Sequence, residues 1–339
     1  MSSESLVGGS YDSLSPATQQ LLDTVLGDTV GGVVTTTTLA GGGTLVTGTG
    51  AGGVQQGAVI GAAGQAVTGE IVAGELTLTI ALPAGVNIVF EGPGGAVSAA
   101  EANTYITNLV DAAFPSDSTD PAVQSARYSL IASIDALTQS LTQGTTPGSV
   151  TLRLVALTES NTSSGVRAIG PNEVLFTAQS STGTSELLTF FTQQLGANKT
   201  LVLENVQAAL IVGSGAVRLE GSGASFLAGD SGNQALTGSL GNDTLVGGGG
   251  NDTITGGSGS DVFGLSALGH LTITDFNVTT DKLAFSVPGI TNVADLAPFF
   301  TGLSVAGGAS TLHFGDHLSI TLVGVSPEQL TLDLLQFTF

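Results

Sequence analysis

Three aspartates at nine-residue spacing, Asp243, Asp252 and Asp261, carry the most visible chemistry of this sequence. Each closes a glycine-rich turn in a nine-residue unit: Gly238 to Val246 (GSLGNDTLV), Gly247 to Thr255 (GGGGNDTIT) and Gly256 to Gly264 (GGSGSDVFG). The unit before them, Gly229 to Thr237 (GDSGNQALT), has Gln234 at the aspartate position and a displaced acid, Asp230, at its second position. Two eight-residue units, Gly213–Glu220 and Gly221–Ala228, lack the aspartate altogether. A carboxylate combined with turn carbonyls is a hard oxygen ligand set. Ca²⁺ takes about six to eight such oxygens, so one turn supplies roughly half a shell and two stacked turns complete it.

The elements that must hold these turns follow from the same units. Each turn leads into a three-residue strand with one large apolar position: Leu219, Leu227, Leu236, Leu245, Ile254 and Phe263. A single unit cannot bury that side chain, whereas stacked units bury a ladder of them. The pattern Gly-Gly-x-Gly-x-Asp-x-apolar-x resembles the repeat-in-toxin (RTX) family of proteins exported by type I secretion. That resemblance implies a parallel β-roll whose successive turns lie on alternate edges, with each Ca²⁺ between turns two units apart. Carried onto this chain, the ligand set is Gly238, Leu240, Gly241 and Asp243, then Gly247, Gly249 and Asp252, then Gly256, Ser258 and Asp261. Asp243 and Asp261 then share one edge, and Asp252 takes the other, where Gln234 leaves the site half acidic unless Asp230 substitutes. The octapeptides read as metal-free rungs. The resemblance continues through Leu271 to Phe276 and Asp281-Lys282-Leu283, similar to the family's cap. It ends in Leu312 to Leu322, Val323 to Leu330 and Phe337 to Phe339, similar to its uncleaved secretion region. It covers roughly residues 213 to 339.

Upstream the signals are local. Residues 1–72 are Gly/Thr-rich, with a helix expected from Ser15 to Gly27 and no charge from Thr29 to Gly69, 41 positions. That stretch reads either as strands able to pair with another chain or as a flexible linker. Residues 73–198 read as an α/β domain. Leu76 to Leu82, Val86 to Phe90, Val150 to Ala156, Val174 to Phe176, Leu187 to Phe191 and Leu201 to Leu203 are expected strands. A capping box at Ser98–Glu101 and a Pro at Pro121 open two helices, expected to cover one face of a single sheet. The expected organisation is therefore an N-terminal segment 1–72, a domain 73–198, a roll 199–264 and a cap with secretion signal 265–339. The fold class is mostly β, with an α/β N-terminal part and a C-terminal parallel β-roll.

Composition narrows the function. The chain has 27 Asp+Glu against 6 Lys+Arg and a formal net charge of −21. Six scattered bases cannot displace counterions from a phosphate backbone, so nucleic acid is excluded as a partner. The apolar runs are too broken for a membrane span. Zero Cys removes disulfides and thiolate sites. The sequence has no His-Glu-x-x-His and no Gly-x-Ser-x-Gly, so zinc-protease and lipase chemistry lack their motifs. Glu75, Glu91, Glu101, Asp111 and Asp135 are the acids from which a hydrolase or carbohydrate-binding site in 73–198 would have to be built. The expectation is a secreted, non-enzymatic Ca²⁺ protein of the cell surface or extracellular matrix, assembling with copies of itself. The type I secretion machinery is implied as a partner by the resemblance, and a cell-surface glycan is a further candidate.

Overall fold

A computed structural model describes residues 34–49, 54–61, 66–73, 76–83, 86–93, 97–113, 116–119, 124, 127–128, 130–135, 149–159, 173–180, 185–195, 197–287 and 289–337. The helix expected at Ser15–Gly27 lies outside them. The chain divides into two units, residues 1–97 with 149–204, and residues 98–148 with 205–339.

In the first unit the described residues of the uncharged N-terminal stretch form strands that pair within the chain, with Val34–Thr38 at the end of its sheet. Val34–Thr38, Thr44–Thr49 and Val54–Ile60 form an antiparallel meander that continues onto Val86–Pro93. Val67–Ala73 pairs with Leu76–Leu82. These strands are rich in β-branched Val and Thr, and Gly41 and Gly42, both at positive φ, supply the turn between the first two. Each strand expected in this unit forms, but in two sheets rather than one. Ser185–Gln194 runs parallel to Ser149–Glu159 in one sheet. Thr200–Glu204 runs parallel to Glu173–Ser180 in the other. From Ser149–Glu159 onward the chain alternates between the two sheets, so that strands adjacent in sequence fall in different sheets.

The second unit is a roll built on the same alternation with shorter strands. One wall stacks Ala208–Val212, Phe226–Ala228, Thr244–Val246, Val262–Leu265, Lys282–Phe285 and Leu335–Gln336, all parallel. The opposite wall stacks Gly215–Glu220, Gln234–Thr237, Gly250–Thr255, Gly269–Ile273 and Leu318–Val323, also parallel. Phe226 faces Thr244 and Thr244 faces Val262, a register step of 18 residues, or two nonapeptides per turn of the roll. Two buried ladders result: Leu227, Leu245, Phe263, Leu283 on one wall, and Val217, Leu236, Ile254, Ile273, Leu322 on the other. Burying one such side chain contributes about 1.5–3 kcal/mol. Ordering its unit costs about 1–2 kcal/mol for every residue fixed. No unit can therefore stand without neighbours. On the first rung Val217, not Leu219, is in register with Leu236. The strand Gly215–Glu220 is six residues long, so the two alternate residues both point inward and Leu219 is buried as well.

The helical residues group with the roll. The helix Ala99–Ala113 opens on the expected capping box: the Ser98 N–H donates to Glu101 Oε2 (2.8 Å) and the Glu101 N–H to Ser98 Oγ (3.2 Å). Of the second expected helix, residues 130–135 are helical, with Leu130, Ser133 and Ile134 buried on one face. Arg127 bridges to Asp111 (2.6 Å) and ties the two helical stretches together. The roll ends in a cap: the strand Leu318–Val323 continues antiparallel into Ala309–Phe314 and then Phe300–Ala306. Phe285 and Phe314 pack edge to face in this cap, ring centroids 5.6 Å apart.

Candidate metal centre

Turns 220–225, 238–243, 256–261 and 274–281 lie along one edge of the roll; turns 213–214, 229–233 and 247–250 lie along the other. Asp243 and Asp261 fall on the first edge and Asp252 on the second. Backbone amides link the acids into columns. The Ser225 N–H donates to Asp243 Oδ1 (2.9 Å), the Asp243 N–H to Asp261 Oδ1 (2.9 Å) and the Asp261 N–H to Asp281 Oδ1 (3.1 Å). On the second edge the Gln234 N–H donates to Asp252 Oδ1 (2.8 Å). Asn side chains tie in the opposite direction. Asn233 Oδ1 accepts from the Asn251 N–H (2.8 Å) and Asn242 Oδ1 from the Ser260 N–H (2.8 Å). The triplet Gly241-Asn242-Asp243 thus locks its turn both to the rung before, through Asp243, and to the rung after, through Asn242.

The second oxygen of each carboxylate separates the acids. In Asp243, Oδ2 accepts from the Ser239 N–H (2.6 Å) and Ser239 Oγ (2.9 Å); in Asp281, Oδ2 accepts from the Asn277 N–H (2.8 Å). Asp261 Oδ2 and Asp252 Oδ2 instead turn into the glycine cradles of their own units. A Cβ at Gly256 would lie 2.5 Å from Asp261 Oδ2, and one at Gly247 would lie 2.5 Å from Asp252 Oδ2. Main-chain carbonyls converge on the same turns. The Gly256 carbonyl crowds Gly238, the Gly241 carbonyl crowds Gly259, and the Ser239 carbonyl crowds Gly257, whose φ of +93° also excludes an ordinary side chain. These glycines leave oxygen-lined space where any Cβ would intrude.

Electrostatics agree with the geometry. Asp243, Asp252 and Asp261 are 1%, 4% and 2% exposed. The ion pairs Arg127–Asp111 and Arg218–Glu220 leave these acids out. Burial pushes the Asp252 carboxyl up to about 8, with the charge of Asp230 adding to it. Burial pushes Asp261 up to about 6, assisted by Asp281, Asp243 and Asp275. Burial also raises Asp230 and Asp243. Anionic oxygens held out of water without a cationic side chain are the environment that a bound divalent ion relieves. Among the described residues no three His, Cys, Asp or Glu side chains converge on one point. A shell here is therefore mostly main-chain oxygen with one or two carboxylates, which suits Ca²⁺ and not Zn²⁺.

The second edge is different at Gln234. Its Nε2 donates to Asp230 Oδ1 (2.6 Å) and to the Gly213 carbonyl (3.1 Å), while Oε1 is buried without a hydrogen-bond partner. Asp230 is further held by the N–H groups of Gly213 (2.9 Å) and Gly232 (2.8 Å). The displaced acid is thus satisfied by an amide and the main chain, and the uncommitted oxygen on this turn is the neutral Gln234 Oε1. Ser133 donates to the Gly229 carbonyl (3.3 Å) and lies 3.5 Å from Ser266 Oγ, which seats the helical residues against this edge.

Of the sequence-derived set, Gly238, Leu240, Gly241 and Asp243 sit on the turn before that of Gly256, Ser258 and Asp261 along the first edge, and Gly247, Gly249, Asp252 and Asp230 sit on the second. The side chain of Leu240 is 69% exposed, leaving only its carbonyl as a ligand group. Asp281 extends the first column although it falls 20 residues after Asp261, out of phase with the 18-residue turn. Asp275 binds the Gly256 N–H (2.8 Å) and the Gly257 N–H (2.9 Å), holding the cradle that faces Asp261. His313 is spent on Ser304 Oγ (2.8 Å) and His270 on Ser319 Oγ (2.9 Å). In the cap a cavity of about 660 Å³ is lined by Leu283, Leu296, Phe300, Leu312, Phe314 and Leu334 among others, with Asp333 as its one carboxylate.

Residues 228–263 match the family described as RTX calcium-binding nonapeptide repeat (4 copies). No curated protein matches the chain. Among solved structures, the solution structure of the AlgE6R3 subunit from the Azotobacter vinelandii mannuronan C5-epimerase shares 24% identity, covering 37% of this chain and 78% of that one, with a TM-score of 0.30. The nonapeptide period, the carboxylate columns and the family match together identify residues 228–263 as RTX calcium-binding nonapeptide repeats, set within a roll of parallel strands.

Proposed function

We propose that this chain is a secreted calcium-binding structural protein that completes its roll only after export and then assembles with copies of itself at the cell surface or in the extracellular matrix. RTX repeat proteins are typically secreted, and among the described residues no helix is long and apolar enough to cross a membrane. The observation that carries the reading is the pair of buried, half-satisfied carboxylates Asp252 and Asp261, held at about 8 and about 6 by burial.

Those two acids make the metal-free roll costly near neutral pH. Each binds a proton more tightly folded than unfolded, so its stabilising contribution is complete below about 4, the ordinary carboxylate value. That contribution is lost as pH rises through the folded value. In a calcium-poor cytosol the chain therefore stays open, fit for a secretion channel. Ca²⁺ supplies the positive charge that ionised Asp252 and Asp261 lack. At a free concentration 100 times its dissociation constant, binding contributes about 2.7 kcal/mol per site. In the closed roll the amide columns hold the turn carbonyls and carboxylates in place.

The reading is non-catalytic. Glu101 caps a helix, Asp111 pairs with Arg127 and Asp135 accepts from Asn103 Nδ2 (2.9 Å), so three of the acids available for hydrolysis have structural work. The test is far-ultraviolet circular dichroism of the full chain. Chelation should remove β signal, and excess Ca²⁺ should restore it; a trace indifferent to chelator would sink the folding switch. Electron microscopy with and without Ca²⁺ tests the assembly: filaments or sheets only with Ca²⁺ support it, and dispersed particles in both count against it.

A further inference from the structure

The strand Phe300–Ala306 ends its sheet: Ala309–Phe314 pairs with it on one side, and among the described residues no strand pairs on the other. Its hairpin fixes which groups face outward. Gly307 and Gly308 have φ of +59° and +81°, a two-residue turn of the primed type. Such a turn makes Ala306 and Ala309 a hydrogen-bonded pair, and antiparallel pairs alternate from there. Leu303 and Val305 then present their N–H and C=O groups away from the hairpin, in a row open to another strand.

Natural edges are usually blunted by Lys, Pro or inward charge. This one is not. From Leu296 to Gly315 there is no Asp, Glu, Lys or Arg, in a chain of net charge −21. Of the ten large apolar side chains exposed among the described residues, four fall between Phe299 and Val305, and Val305 is 59% exposed. The bulge at Thr301, where the register shifts between Phe300 and Gly302, blunts only the start of the strand.

We propose that a second copy of this chain docks here, its own Phe300–Ala306 strand running antiparallel to the first. This rests on the self-assembly reading above and names the surface that performs it. Two observations select a second copy as occupant. Centred on Ser304, the strand is complementary to itself: Leu303 faces Val305 of the other copy and Val305 faces Leu303, so both outward-facing residues pair and their apolar side chains meet on one face. In addition, two strongly acidic copies repel wherever their acids face each other, and this hairpin carries no acid to bring into such contact. The contact is isologous, so it closes as a two-fold dimer, and a lattice or filament needs a second contact elsewhere.

The test uses the full chain in Ca²⁺, with mass measured by light scattering on a sizing column across a concentration series. The wild type should associate, and Val305→Lys should weaken that association about tenfold or more without changing circular dichroism or Ca²⁺ uptake. Because the chain has no Cys, Ser304→Cys gives a single thiol at the two-fold. A non-hydrogen-bonded antiparallel pair sets its Cα atoms about 4.5 Å apart, within disulfide range. Oxidation should therefore yield a covalent dimer. Association of the wild type that Val305→Lys leaves unchanged, with no Ser304→Cys dimer, overturns the edge contact while self-assembly stands. A wild type that stays monomeric throughout overturns both.

Discussion

The two edges of the roll carry the same nonapeptide frame and do different things with it. On the first, turn residues 257–260 are exposed and the column Asp243, Asp261, Asp281 presents a carboxylate at each of three successive positions. On the second, turn residues 247–250 are buried or half-buried, a helix leans on the Gly229 carbonyl, and Gln234 interrupts the column. Burial is the leading cause of both shifts, and it pushes Asp261 up to about 6 and Asp252, beneath the more covered turn, up to about 8. The lesson is that ligand spacing alone does not rank calcium sites. The cost of each carboxylate depends on what covers its turn, and the first edge is open to an ion from solvent where the second is shielded.

Removing the open acid should break the contrast most strongly. Asp261→Ala deletes both an inward carboxylate oxygen and the acceptor for the Asp243 N–H. Calorimetric titration should show the tightest Ca²⁺ binding weakened about 100-fold or more. The matching Asp252→Ala change should cost less, and equal losses would show the edges to be equivalent. Proton competition comes next. Ca²⁺ affinity on the second edge should fall by about tenfold per pH unit below about 8, and on the first only below about 6. The metal-free protein should melt highest in acid and lose stability as pH rises through those two values, because the folded state holds the extra protons. A metal-free melting temperature that rises from pH 5 to pH 9 contradicts this.

Gln234→Asp sharpens the comparison from the other side. It replaces the amide that holds Asp230 Oδ1 with a second acid at the column position. The metal-free form should be less stable from like-charge repulsion, and the number of bound Ca²⁺ ions should rise by one. Lower stability without the additional ion would assign Gln234 a purely structural role. The smallest effect belongs to Ser133→Ala. Losing its hydrogen bond to the Gly229 carbonyl should cost about 0.5–1.5 kcal/mol in thermal unfolding and leave binding at Asp261 unchanged.

Much of the roll could be read in advance because its determinants are local. The placement of Asp243, Asp252 and Asp261 on alternate edges is legible, since nine residues make a half-turn and each unit repeats its own turn, strand and inward apolar residue. Asp281 was hidden by an insertion of two residues that breaks the 18-residue phase, and only the hydrogen bond from the Asp261 N–H restores it to the column. Gln234 was visible as a missing acid, but not as the donor that neutralises Asp230. The capping box at Ser98 was legible, while the placement of its helix with the roll was not. Ser133 and Gly229 are 96 residues apart, and no local pattern encodes a contact at that separation.

The uncharged stretch from Thr29 to Gly69 shows the same boundary. Its Val, Thr and Gly content suits strands and turns, but an uncharged strand is compatible with more than one partner, and the fold pairs the described strands within the chain. By itself the sequence determined the nonapeptide period, the acids that the period places on the turns, the inward apolar positions and the depletion of bases. Each of these is set by residue type and short spacing. Tertiary structure alone decided which carboxylate oxygens stay uncommitted, which edge is shielded, and which strand of the cap is left without a neighbour. Those properties depend on what packs on either side of a residue, and that is settled by contacts between segments far apart in the chain.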